Sequence, residues 1–81
     1  MAKPSPSHSG DPILIALGRA IKEIRILKGY SQESLALQAG IDRSYMGGIE
    51  RGEHNVALAN IQKIADSLDM RIWELLKKAN I

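Results

Sequence analysis

Apolar residues recur at helical spacing along most of this chain. Leu14, Leu17, Ile21, Ile24 and Leu27 follow steps of three and four, the mark of a helix with one buried stripe, and Lys22, Glu23 and Lys28 fall off that stripe. Gly29 is expected to stop this helix, and Lys28 suits the negative end of its dipole. Ser31 reads as the N-cap of a second helix over residues 32–39, with Tyr30 before it placed to staple onto Leu35. Glu33 complements the dipole in the first turn, Leu35, Ala36 and Ala39 form the buried side, and Gly40 ends the helix. Asp42 caps a third helix, in which Ile41 can staple onto Met46, Met46 and Ile49 are the buried stripe and Gly52 is the expected C-cap. After a loop of Glu53, His54, Asn55 and Val56, the residues Leu58, Ile61, Ile64, Ala65 and Leu68 describe a fourth helix. Asp69 and Met70 break it, and residues 71–78 read as a short fifth helix with Ile72, Leu75 and Leu76 apolar. No segment alternates with the period of a strand and no stretch repeats, so the pattern predicts an all-α fold, a compact five-helix bundle over residues 12–79.

Residues 1–11 carry a different pattern. Prolines, serines and glycine dominate, with Lys3 the one basic side chain and His8 the one imidazole, and nothing there offsets the entropy of ordering. This stretch reads as a flexible N-terminal arm. The whole chain has 81 residues, enough for one domain and near the lower limit for folding without staples. There is no cysteine, which excludes disulfides and thiolate metal sites. With 44% apolar and 25% charged residues the composition is that of an ordinary soluble protein, and the expected location is the cytoplasm, for a protein that is bacterial or phage-encoded. No apolar run approaches the roughly 18–20 residues that span a bilayer, and residues 1–10 lack the apolar centre of a secretory signal. The formal net charge of +2 permits nucleic-acid binding without arguing for it, so the argument rests on where the charges stand.

The stretch from residue 32 to residue 52 is the informative one. Two short helices flank a tight turn in which Ala36 is small, as a close helix crossing requires, and Gly40 can take the left-handed conformation at no Cβ cost. Leu35, Ile41, Met46 and Ile49 point inward and set the angle between the two helices. Helices so joined can place the second one in the DNA major groove.

Taken with Gly18, Arg25, Gly29, Ser31, Gln32, Glu33, Ile49, Glu50, Arg51, Gly52, Asn55, Ile64, Ala65 and Leu68, these residues resemble the Cro/repressor-type helix-turn-helix regulators, also called the xenobiotic-response-element-like family. The resemblance covers residues 14–76. Arg43, Ser44, Tyr45 and Met46, followed by Ile49 to Gly52 and Asn55, are similar to the small controller proteins of restriction–modification systems; phage and plasmid repressors share much of the pattern. The resemblance implies a lambda-repressor-like DNA-binding domain, a transcriptional regulator acting as repressor or activator on double-stranded DNA.

Roles follow for single residues. The third helix turns Arg43, Ser44, Gly47 and Arg51 away from its buried stripe, which makes Arg43, Ser44 and Gly47 candidates for base edges. Arg43 stands at the N-terminal end, which enters the groove first. By resemblance Gln32, at the start of the second helix, meets a backbone phosphate; Tyr45, Arg51 and Asn55 are further candidates for the DNA backbone. Also by resemblance, Glu50 pairs with Arg25 in a partly buried ion pair. In the family the second of the two positions held here by Gly47 and Gly48 often carries a DNA-reading side chain, and the fourth helix usually opens on a serine or threonine where this chain has Ala57. Useful specificity needs a dimer on a two-fold site. Ile72, Trp73 and Leu76 offer a surface for a homodimer, the alternative for Trp73 being the monomer core. Glu33 and Asp42 lie where some relatives meet RNA polymerase, although capping and dipole roles suffice for both.

Three other readings compete: an antitoxin-like protein-binding module, a reader whose arm reaches into a groove with Lys3, and an enzyme. Against the last, His8 and His54 both read as surface histidines with no nucleophile, metal cluster or phosphate loop around them, so neither a cofactor nor a metal is expected.

Overall fold

Asp11 starts the first helix. Its carboxylate accepts the N–H of Ile13 at 3.0 Å, and Pro12 follows at the first helical position, where its missing N–H leaves nothing unsatisfied. Asp11 therefore belongs to the folded unit as a cap and not to the preceding arm. The computed structural model describes residues 10–81, so residues 1–9 of the expected arm, Lys3 and His8 among them, lie outside the described residues. The described chain forms α1 (Pro12–Leu27), α2 (Gln32–Ala39), α3 (Arg43–Glu50), α4 (Leu58–Ser67) and α5 (Ile72–Lys78), with no strand among the described residues. The fifth helix is one residue shorter than the pattern predicts. Arg71 is its extended N-cap, and the N–H of Arg71 is taken up by Glu74 Oε1 at 2.9 Å.

α1 packs on α3 and α5, α2 on α3 and α4, and α4 on α5, around a core whose largest fully buried side chains are Ile21, Leu35, Met46, Ile49, Ile64, Leu68 and Leu75. The buried side of α1 differs from the predicted stripe. It runs through Leu17, Gly18, Ala20, Ile21, Ile24 and Arg25, Leu14 is half-buried, and Leu27 is 79% exposed. At 100° per residue the centre of this face lies between Leu17 and Ile21, shifted toward the Gly18 and Arg25 side that α3 covers, and Leu27 falls at its edge. Leu58 is likewise exposed, being the first residue of α4 with no helix packed over it.

α4 lacks the device that opens the other early helices. Its N-cap, Ala57, has the extended conformation of a capping residue but no side-chain oxygen to accept an N–H. Replacing Ala57 with serine is expected to stabilise the protein by about 1 kcal/mol. That corresponds to a rise of roughly 4–8 °C in melting temperature for a domain of this size, measured by circular dichroism.

Candidate nucleic-acid interface

Capping defines the two helices of the site. Ser31 Oγ accepts the N–H of Ser34 at 2.9 Å and opens α2. Gly40, at φ +69°, closes it, while the N–H of Ile41 reaches back to the carbonyl of Ala36 at 2.9 Å. Asp42 Oδ2 then accepts the N–H groups of Ser44 and Tyr45, at 2.9 and 3.2 Å, so α3 begins three residues after the glycine. The turn is thus bounded by hydrogen bonds on both sides, and it leaves Arg43 and Ser44 exposed on the first turn of α3. Arg51 is the C-cap of α3, and Gly52, predicted as the cap, is the residue after it at φ +76°. A Cβ on Gly52 would lie 2.8 Å from the Cα of Ile15, so close approach of α1 demands glycine there as much as the backbone angle does.

Behind α3 lies a buried polar network. Glu50 accepts from Arg25 twice, Nε to Oε2 at 2.7 Å and Nη2 to Oε1 at 3.0 Å, with the two side chains 2% and 11% exposed respectively. Arg25 Nη1 donates to the carbonyl of Tyr30 at 3.0 Å, which fixes the α1–α2 corner. Gln32 completes the set by donating its amide to Glu50 Oε1 at 3.1 Å. One carboxylate therefore ties α1, α2 and α3 together. Sequence reasoning placed Gln32 only toward a phosphate; its bond to Glu50 spans 18 residues and left no local signal.

In front, Gln32, Arg43, Ser44, Gly47 and Arg51 line an open notch of about 290 Å³. Gly47 is its floor: a Cβ there would stand 3.1 Å from Arg51 Nη1 and 3.4 Å from Gln32 Oε1. Gly48 faces elsewhere. A Cβ on it would run into the imidazole of His54, 2.5 Å from Cδ2. The DNA-reading position expected at Gly48 is thus turned inward, and Gly47 is the glycine on the front.

His54 is not the surface histidine read from the sequence. It is 7% exposed, lies under α3 in the space left by Gly48, and sets its ring 5.0 Å from that of Tyr45 at 47°. Its Nε2 has no hydrogen-bond partner among the described residues. Tyr45 is half-buried and packs on the core, and it is not among the residues that line the notch. Asn55 is exposed on the loop that follows.

Arg51 is fully engaged on one edge. Its Nε and Nη2 donate to the two carboxylate oxygens of Glu53, at 2.8 and 3.2 Å. The hydrogen bond to Glu53, reinforced by its charge, holds the guanidinium above its ordinary pKa, and the same bond holds the Glu53 carboxyl below the usual carboxylate range. Trp73, on α5 away from this face, is 58% exposed, which removes it from the monomer core; Ile72 and Leu76 beside it are half-buried against the core. The described residues contain no cluster of three or more potential metal ligands, and no helix long and apolar enough to cross a membrane.

This arrangement, two short helices held at a capped glycine turn with basic and polar side chains on the exposed face of the second, is shared with known proteins. A family model for helix-turn-helix proteins matches residues 21–72. The restriction–modification controller protein C.AhdI from Aeromonas hydrophila has a similar structure, with 52% identity and a TM-score of 0.75 over 76% of this chain and 94% of that one. The controller C.Esp1396I bound to a 19 base pair DNA duplex matches with 33% identity and a TM-score of 0.75, over 85% of this chain and 96% of that one. A hypothetical transcription factor of Neisseria meningitidis is 48% identical over 52 residues, 64% of this chain and 49% of that protein, so the chain spans about half the length of this relative. The chain belongs to the helix-turn-helix family of DNA-binding transcription regulators.

Proposed function

We propose that the protein is a controller-type regulator that binds a two-fold operator as a homodimer, with the helix of residues 43–51 in the major groove. The observation that carries this reading is the single notch in which Arg43, Ser44 and Gly47 of α3 adjoin Gln32 at the start of α2. Base-reading and phosphate-holding chemistry then face one side of the molecule. Arg43, exposed on the leading turn of α3, is positioned to offer a two-pronged donor to the O6 and N7 of a guanine. Ser44 reaches a base edge or phosphate beside it, and the absence of a side chain at Gly47 lets the α3 backbone come close. Gln32, with the positive end of the α2 dipole, meets a phosphate, and Tyr45, Arg51 and Asn55 extend the backbone contacts.

The likeness to controller proteins, one of them a DNA complex, supports this reading over that of a protein-binding module. The dimer part rests on Trp73, an exposed indole flanked by Ile72 and Leu76, the kind of residue that anchors interfaces. Two copies joined there would set half-sites roughly 34 Å apart along one face of the duplex. Such a regulator would work in the cytoplasm.

Selection of duplexes from a random pool tests the reading, with the wild type and Arg43→Ala run in parallel. The wild type is expected to select a two-fold symmetric consensus, and Arg43→Ala to relax one position in each half-site. The expected loss in affinity is about 1–3 kcal/mol per half-site, roughly 5- to 150-fold. Binding that survives only at low salt, with no consensus for either protein, would mean that the charges hold the DNA backbone and nothing more, and the operator reading would fall.

A further inference from the structure

Arg51 sits at the edge of the notch with its charge already matched. A guanidinium carries five N–H groups in a rigid plane, arranged as forks. Glu53 occupies the fork formed by Nε and Nη2. That leaves the second fork, made by Nη1 and the other N–H of Nη2, without a partner among the described residues. Nη1 lies over Gly47, where a Cβ would stand 3.1 Å from it and any side chain would crowd it.

The spacing of the pair is unusual for a helix surface. Residues two apart on a helix do not face one another. Arg51 and Glu53 meet because α3 has ended: Arg51 is the C-cap, and Gly52 at φ +76° turns the chain back so that Glu53 returns to the side of its neighbour. Glu53 is itself steadied from below, since its backbone N–H donates to the carbonyl of Gly48 at 2.9 Å. An acidic residue beside a polyanion weakens the attraction to it, so Glu53 costs affinity for any DNA and its benefit must lie elsewhere.

We propose that Glu53 is a positioning residue for DNA recognition, holding the Arg51 guanidinium in one orientation over Gly47 so that its second fork meets a pair of acceptor oxygens only when the protein is seated in register on its operator. The inference rests on the reading that this face binds DNA. A free arginine at position 51 would follow phosphates on any sequence. A clamped one contributes fully where the acceptors come to it and little where they do not, so Glu53 exchanges general affinity for discrimination. The acceptors are backbone phosphate oxygens or the edge of a guanine, both of which fit a planar two-donor fork.

The test compares wild type, Glu53→Gln, Arg51→Ala and the double variant on two duplexes, the consensus selected from the random pool and a scrambled duplex of equal length, over a range of salt concentrations. Glu53→Gln is expected to hold the scrambled duplex as tightly as wild type or more so. Its ratio of consensus to scrambled affinity is expected to fall about tenfold, while its melting temperature stays unchanged. In the Arg51→Ala background the same substitution is expected to leave the ratio where Arg51→Ala alone puts it, because nothing remains to be positioned. An unchanged ratio in Glu53→Gln, or an equal fall whether or not Arg51 is present, would overturn the proposal. A wild type that shows no preference between the duplexes would overturn the DNA-reading face beneath it. A loss confined to one consensus position in a repeated selection with Glu53→Gln assigns the second fork to a guanine, and an even loss assigns it to phosphates.

Discussion

Glu50→Ala is expected to remove about 3–5 kcal/mol of stability, the effect of breaking a buried ion pair on one side. Against a total of roughly 4–11 kcal/mol for a domain of this size, the variant would be largely unfolded or close to it at 37 °C. Arg25 would be left with one bond, Nη1 to the carbonyl of Tyr30, and a guanidinium that is closed off from water. Gln32 would lose the acceptor for its amide in the same step. Urea denaturation followed by circular dichroism measures the loss. The Arg25→Met, Glu50→Leu double variant separates the cost of an orphaned charge from the worth of the pair. An apolar replacement of similar volume is often neutral, so the double variant should recover most of the stability. Recovered folding would not restore the Gln32 side chain to its place in the notch, since its amide then has no partner behind it. Specific DNA binding should therefore stay reduced in a protein that melts normally. A loss below about 1 kcal/mol for Glu50→Ala would mean that water reaches the guanidinium readily and that the network contributes little.

Gly18→Ala should be nearly as damaging, although alanine is the better helix former by about 1 kcal/mol. A Cβ at this position would collide with the carbonyl oxygen of Ile49 and come within 2.6 Å of the carbonyl oxygen of Glu50. These are backbone atoms of α3, with no rotamer through which to retreat, so α1 and α3 must part by roughly 1 Å to restore ordinary contact distances. Overpacking of side chains costs about 1–3 kcal/mol and can cost more. A clash against two successive carbonyls belongs at or above the top of that range, and the expected drop in melting temperature exceeds roughly 12 °C. The displacement also pulls Arg25, about two turns further along α1, from Glu50, whose own carbonyl takes part in the clash. Gly18→Ala and Glu50→Ala should therefore be less than additive when combined, whereas independent sites would add within about 0.5 kcal/mol. Additive losses would show that the close crossing and the ion pair act separately.

Local chemistry made the centre of this molecule legible from its sequence. Ser31, Gly40 and Asp42 each specify a boundary through their own backbone or side chain, and α2 begins and ends at the residues their pattern indicates. The core stripes of α2 and α3 followed for the same reason. Contacts that depend on tertiary placement were less visible. Leu27 and Leu58 carry the right residue type at helical spacing but project past the edge of any neighbouring helix. His54 looked like a loop residue, because its burial depends on the side chain that Gly48 lacks. The adjacent glycines were the available signal: a pair that weakens a helix by roughly 2 kcal/mol implies that something occupies the space they leave. The Arg51–Glu53 pair escaped notice because helical spacing rules do not apply across a chain reversal. The Arg25–Glu50 pair entered through resemblance to a family, since nothing in two residues 25 positions apart announces that they touch.

The front and the back of α3 have very different freedom to change. Arg43 and Ser44 stand exposed, outside the network that Glu50 organises and away from the crossing at Gly18, and surface substitutions of this kind usually alter stability by no more than about 0.5 kcal/mol. Gly48, Ile49 and Glu50, one to two turns away on the same helix, are held by contacts that tolerate almost nothing. On the proposed reading of Arg43 and Ser44, mutational drift can therefore rewrite the exposed face of α3 while the scaffold stays fixed, and descendants of one ancestor can come to answer to different operators without passing through unfolded intermediates. The same division makes α3 a practical place for transplanting binding preferences: exchanging the residues at 43 and 44 between relatives should carry the proposed preference across and leave the recipient's melting curve nearly where it was.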